Sequence, residues 1–217
     1  MRTKAGSRSP HLAATALLLL VVAVVLGGCG FDLSLSCGKN EGTGLEGLET
    51  YTDPTYGYSF SYPGDWELRE GHSTEVNAGA ASISDVSVFD PEGATDSSGS
   101  LIDVLQVSIY RLAVAVEEAV LPEFKPVLEG LMDDVARRSK GYETVEPLSK
   151  VKVGELKGYQ VTCRFTMGET PVLSTFCFLF DDDIEYQLLM QAAEQNWEAE
   201  QQVFDAFVTS FTPGPKE

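Results

Sequence analysis

Histidine is nearly absent from this chain, and that scarcity closes off much catalytic and metal chemistry. There are two in 217 residues. His11 lies in an apolar leader, which leaves His72 for the rest of the chain. A multi-histidine zinc or iron centre needs more than one. A Ser-His-Asp arrangement would depend wholly on His72 in Gly71-His72-Ser73-Thr74, where a lone loop histidine is ordinarily a solvated side chain. The sequence also lacks a Gly-x-Ser-x-Gly elbow, a phosphate-binding glycine loop and a Cys-x-x-Cys pair. No nucleophile and base can be named, so the chain does not read as an enzyme and calls for no cofactor. Positive charge is scarce too: 15 Lys and Arg stand against 33 Asp and Glu, a formal net charge of −18. Such a surface repels polyphosphate backbones, which excludes nucleic acid as a partner.

What the chain does have begins at its first residues. Arg2, Lys4 and Arg8 precede an apolar run from Leu12 to Leu26, interrupted only by Thr15, and then Leu26-Gly27-Gly28-Cys29. A basic start, an apolar segment and small residues before a cut are the parts of an export signal. A bilayer-spanning helix needs about 20 apolar residues. The run is shorter than that, and no second stretch of spanning length follows. The ending resembles the lipobox of bacterial lipoproteins, in which cleavage falls between Gly28 and Cys29 and the thiol of Cys29 carries the lipid. The expectation is a signal peptide over residues 1–28 and a mature chain held to the extracytoplasmic face of the cell membrane by acyl chains, palmitate-like in character. The leader takes three of the basic residues and none of the acidic ones, so the mature charge is −21.

Residues 29–50 read as a flexible tether, with Gly30, Gly38, Gly42, Gly44 and Gly47 and no sustained periodicity. A folded domain is expected over 51–212 and a short tail over 213–217. Tyr58, Phe60 and Tyr62 alternate with Ser59 and Ser61, a half-buried strand that ends in Pro63-Gly64-Asp65 turn chemistry, with Trp66 opening the next strand. Residues 82–90 and 101–111 read as strands around a loop. From Pro122, Phe124, Val127, Leu128, Leu131, Met132 and Val135 form a helical stripe, with Arg137, Arg138 and Lys140 in the last turn and Gly141 as the stop. Residues 155–167, 172–180 and 184–192 then read as three antiparallel strands, Asp181-Asp182-Asp183 being the turn between the last two. A final helix from about Trp197 carries Val203, Phe204, Phe207 and Val208 inward.

The block Tyr62-Pro63-Gly64-Asp65-Trp66 and the closing helix with Val208-Thr209-Ser210-Phe211 resemble the PsbP-like family, and the order of elements between them agrees. Together with the lipobox, the chain is similar to LpqN-type envelope lipoproteins of actinobacteria. The resemblance implies an α+β fold, an antiparallel sheet flanked by helices as an α-β-α sandwich. It also implies a binding or assembly module without catalytic machinery, and it supplies no site residue.

Three features carry site expectations. Asp181, Asp182 and Asp183, with Glu185 nearby, are a weak candidate for calcium, because successive residues diverge and no central glycine spaces them; solvated turn residues are the better reading. Cys163 and Cys177 lie on neighbouring strands. Pairing them directly requires Met167 to face Leu173 across a five-residue loop, and either a disulfide or two buried thiols would suit an oxidising envelope. Cys37 is then left over in the tether. Phe176, Phe178 and Phe180 share one strand face, which favours packed core over a lipid-lined pocket. Two functions follow. The first is an interaction or assembly module for an envelope protein partner, which predicts an exposed apolar or mixed patch and no closed pocket. The second is a binder of a lipid or glycolipid, less readily calcium, which predicts an apolar cavity.

Overall fold

The computed structural model describes residues 47–71 and 82–215. The element order is β1 (Leu48–Thr52), β2 (Ser59–Pro63), β3 (Glu67–Gly71), β4 (Ser84–Phe89), β5 (Val104–Val116), α1 (Leu121–Arg138), β6 (Lys140–Val153), β7 (Leu156–Met167), β8 (Thr170–Ala193) and α2 (Trp197–Ser210). β1 and β2 form a two-stranded sheet, and six strands form the main sheet in the order β3-β4-β5-β8-β7-β6. Every neighbouring pair is antiparallel. This is the α+β architecture expected from the sequence.

The two faces of the sheet are covered by different elements. α1 lays Leu121, Phe124, Leu128, Met132 and Val135 into a core with Tyr159, Val161, Cys163 and Phe165 of β7 and Phe178 and Phe180 of β8. α2 and the β1-β2 hairpin build the other core, where Phe204, Phe207 and Val208 meet Tyr58, Phe60, Val86, Val88, Leu105, Val107, Ile109 and Leu188. Phe60 meets Phe207 edge to face at 5.1 Å between centroids, a favoured aromatic geometry. The stripe Phe176, Phe178 and Phe180 is core: Phe178 is fully buried, and Phe180 packs against Phe124 with centroids 5.1 Å apart.

Three sequence expectations need correction. Asp181-Asp182-Asp183 is not a turn between two strands, because residues 170–193 form one strand of 24 residues. Asp182 adopts φ +57°, and the pairing with β5 shifts register between Arg111 and Val116 at this point. Between the pairs those two residues make, β5 runs five residues and β8 two, an odd difference that reverses the side-chain parity along β8. Even-numbered Phe178 and Phe180 face α1 before the bulge, whereas even-numbered Tyr186, Leu188 and Met190 face α2 after it. Second, β1 begins at Leu48, inside the segment assigned to the tether, and its register sets Tyr51 opposite Phe60. Third, β6 follows α1 directly as an exposed edge strand. The helix ends at Arg138, where the Ser139 N–H bonds the Val135 carbonyl, and Gly141, at φ +71°, lies within the first residues of the strand.

Candidate functional site

The aspartate run stands between two shallow clefts. One, of about 250 Å³, is lined by Thr55, Tyr56, Arg111, Asp183 and Tyr186 among others. The other, of about 360 Å³, takes in Glu117, Glu118, Glu155, Lys157 and Phe180. Arg111 Nη1 donates to Asp183 Oδ2 at 3.0 Å, and Lys157 Nζ donates to Glu118 Oε2 at 2.6 Å. The acidic side chains on either side are therefore partly neutralised by the protein's own cations. Among the described residues no three side chains of the metal-ligating types converge on one point. The run acts as a bulge in β8 and does not form a cation cage.

Cys163 and Cys177 are both buried and do not form a disulfide with one another. The β7-β8 register sets Cys163 opposite Ser174 and Cys177 opposite Gln160, with Met167 opposite Thr170 around a two-residue turn. Cys163 belongs to the α1 core and Cys177 to the α2 core. The direct register considered from sequence is thus wrong by three residues. An odd offset sends the two side chains to opposite faces, which no disulfide geometry can bridge. Gly28, Cys29, Cys37 and His72 lie outside the described residues.

A second constellation was not singled out from sequence. On β5, Leu105, Val107 and Ile109 face α2, so Gln106, Ser108 and Tyr110 face the other way. The registers align Asp85 of β4 with Ser108 and then Gln187 of β8, and Tyr110 with Glu185. This quadrant of the sheet is polar, yet it is shielded from solvent: relative exposure is 5% for Gln106, 4% for Ser108, 2% for Tyr110 and 4% for Glu185. Gln106 Nε2 donates to Ser108 Oγ at 2.8 Å, and Gln187 Nε2 donates to Glu185 Oε1 at 2.9 Å. Among the described residues, Gln106 Oε1 and the Tyr110 hydroxyl have no hydrogen-bond partner of good geometry, although Ser108 lies beside the hydroxyl.

The electrostatics follow from that burial. Burial pushes the Glu185 carboxyl up to about 7 against the opposing Gln187 hydrogen bond. Asp85 is raised by burial, with Ser108, Ser82 and Gln106 hydrogen bonds holding it back. Tyr110 is raised first by burial and then by the carboxyls of Asp85 and Glu185, against an opposing Ser108 hydrogen bond. Among the described residues no Lys or Arg forms an ion pair with either acid. Arg69 shares this side of the sheet through its pairing with Ser87. It lies over the Phe89 ring at 4.6 Å and pairs with Glu67.

Other buried acids are scaffold. Asp103 accepts from the Ala94 N–H at 3.0 Å, the Ala193 N–H at 2.7 Å and Asn196 Nδ2 at 2.6 Å, tying the approach to β5 to the start of α2. Asp53 accepts from the Thr55 and Tyr56 N–H groups and from Ser84 Oγ. Burial pushes the Asp53 carboxyl up, but those hydrogen bonds outweigh it and leave it below the ordinary value. Such carboxylates stabilise turns and offer little to a ligand. The alternation of residues 104–110 was readable in the sequence. What it could not reveal is that the polar side of the strand is shielded from water.

No family model matches the sequence, and no curated protein matches it. Solved structures do. The solution structure of cyanobacterial PsbP (CyanoP) from Synechocystis sp. PCC 6803 is similar with a TM-score of 0.52 and 17% identity, covering 82% of this chain and 98% of that one. The crystal structure of LpqN, involved in cell envelope biogenesis of Mycobacterium tuberculosis, gives a TM-score of 0.49 and 12% identity over 77% of this chain and 92% of that one. The fold is PsbP-like.

Proposed function

We propose that this protein is a membrane-anchored extracytoplasmic lipoprotein whose PsbP-like domain acts as a non-enzymatic interaction or assembly module in the cell envelope. The observation that carries this reading is Leu26-Gly27-Gly28-Cys29 ahead of a domain with its own two cores. An acylated Cys29 holds such a domain at the membrane surface, within reach of neighbouring envelope proteins. The packing of Phe178 and Phe180 beneath α1 supports the module over the lipid binder, because the best sequence candidate for a ligand-lining stripe is spent on the core. The large apolar side chains exposed among the described residues are Leu48, Val114 and Val145, on three different strands. Recognition therefore rests on polar and charged surface more than on an apolar patch.

The test is metabolic labelling with a clickable palmitate analogue, followed by membrane fractionation, for the wild-type chain and Cys29→Ser. Label and membrane retention are expected in the first and should be lost in the second; an unlabelled wild-type chain released from the membrane refutes the anchor. Photo-crosslinkers at Val114 and Val145 in intact cells then read the neighbours. Native mass spectrometry of the detergent-released protein should give the acylated mass alone, and a reproducible non-covalent excess would replace the module by the binder.

A further inference from the structure

The β1-β2 hairpin is a two-stranded sheet, and among the described residues only its β2 edge is covered. The Ser59 N–H and carbonyl both bond Thr212 at 2.9 Å, and the Ser61 N–H bonds Ser210 Oγ at 2.8 Å. Residues 59 and 61 therefore turn their backbone groups away from β1. In an antiparallel pair, directly opposite residues either bond each other or both point outward, and the register sets Thr52 opposite Ser59, Thr50 opposite Ser61 and Leu48 opposite Pro63. Inward bonds from the Asp53 N–H to the Tyr58 carbonyl and from the Gly64 N–H to the Gly47 carbonyl fix the same parity. Leu48, Thr50 and Thr52 thus present N–H and carbonyl groups on the open edge, with no hydrogen-bond partner for them among the described residues. All three residues are exposed. Other edges are blunted: β6 carries Pro147, Lys140, Lys150, Lys152 and three register shifts, and β3 carries Glu67, Arg69 and Glu70. β1 has no proline, lysine or bulge, and its threonines and tyrosine favour a strand.

The geometry points to the open edge of β1 as the docking site for an extended segment of a protein partner that carries Lys or Arg at alternate positions. An added strand bonds residues 48, 50 and 52 through its main chain, the mode by which exposed sheet edges take up peptides. Its intervening side chains then lie beside Glu49 and Tyr51. Neither Glu49 nor Glu70, which accepts from the Tyr51 hydroxyl at 2.9 Å, forms an ion pair among the described residues. Opposite charges on neighbouring strands stabilise a sheet, so one cation opposite Glu49 and a second two residues away, toward Tyr51 and Glu70, suit this edge. The net charge of −18 draws such a segment in and opposes a second copy of this chain. This inference rests on the interaction-module reading and names the chemistry by which that module would recognise its partner.

The test uses the ¹⁵N-labelled full-length protein in detergent micelles, titrated with acetyl-Thr-Lys-Thr-Lys-Thr-amide. Two controls accompany it: the same peptide N-methylated at its threonines, which cannot donate to the edge, and acetyl-Thr-Glu-Thr-Glu-Thr-amide. Saturable shifts at the Leu48, Thr50 and Thr52 amides, with slowed hydrogen exchange there, are expected for the lysine peptide and for neither control. Affinity should fall about tenfold or more in Thr50→Pro, which loses the central N–H at an outward position that proline tolerates, and about threefold in Glu49→Gln. Asp183→Asn should bind as wild type does. Absent shifts, shifts centred elsewhere, equal binding of a control peptide or unchanged binding by Thr50→Pro would overturn the site. So would a Thr50 amide protected from exchange before peptide is added: a second copy holds the edge if dilution removes the protection, and the chain itself holds it if dilution does not. Should Thr50→Pro disturb the hairpin, its spectrum will show it, and the N-methylated peptide decides. Crosslinked neighbours in cells together with no peptide response would reject this site and leave the module standing; neither signal would reject both.

Discussion

Glu185 takes an inward position on β8 opposite Tyr110 and carries the cost of burial without a basic partner among the described residues. Its carboxyl titrates near the ordinary 4.5 in the unfolded chain and near 7 in the fold. The folded state binds this proton more tightly, so its contribution is fully present below about pH 4.5, falls as pH rises toward 7 and is gone above that. The difference is on the order of 3 kcal/mol. Glu200, raised to about 7 by burial and then by Asp90, Asp103 and Asp65, acts in the same window with the same sign. It is only partly buried, so solvent screening weakens it. Asp53 works in the other direction, its stabilisation being lost only as pH falls below the ordinary carboxylate range. Urea unfolding of wild type and Glu185→Gln between pH 5 and 8 separates these terms. The Gln variant should lose most of the slope and be the more stable protein at pH 8, and parallel pH curves would show that Glu185 is hydrated in the fold.

At the scale of elements, the legible parts were those with a clean period and a buried face. β2, the stripe of α1, β7 and α2 all show the alternation or helical spacing that burial imposes, and each was placed to within a few residues. β6 was missed because both of its faces are largely exposed. It alternates Lys, Glu and Thr around Pro147, the composition of a protected edge, and lacks the apolar side that betrays a strand. β1 was missed because it follows a glycine-rich stretch and is ordered by pairing with β2, a tertiary fact. β8 was divided in two because its period breaks at Asp181-Asp182-Asp183, and a bulge breaks the period as surely as a turn does. The polar quadrant was hidden for a similar reason: Gln106, Ser108 and Tyr110 read as the wet side of a half-buried strand. The bulge supplies its own test. Asp182→Gly keeps the chain length and favours φ +57°, so stability should be unchanged or improved by up to about 1 kcal/mol. Deleting Asp182 shifts the parity of β8 by one residue and turns either Phe178 and Phe180 or Tyr186, Leu188 and Met190 to the wrong face. That loss is several times larger, and circular dichroism of the deletion chain should show no cooperative melt. A cooperative, near-wild-type melt would mean that β8 absorbs the register change elsewhere.

For the whole molecule, the dominant long-range term is self-repulsion. Thirty-three acidic groups face fifteen basic ones, and the ion pairs present are largely exposed, Arg69–Glu67 and Lys152–Glu155 among them. Exposed pairs of this kind contribute about 0–1 kcal/mol each and are weakened by salt. Repulsion among the unmatched acids is spread over distances comparable to the domain itself, and salt screens it most effectively. The Debye length falls from about 30 Å at 0.01 M to about 8 Å at 0.15 M, shorter than the span of the sheet. Repulsion therefore outweighs the ion pairs in the balance. The melting temperature should rise by a few degrees, equivalent to about 1 kcal/mol, across that range of sodium chloride at pH 8. Potassium chloride should match it, because screening ignores ion identity, and a falling melting temperature would show that the surface pairs dominate. The same field sets how a partner arrives. Association of a basic segment with the domain should slow steeply over the same salt interval while dissociation changes little, since steering acts on the encounter more than on the bound state.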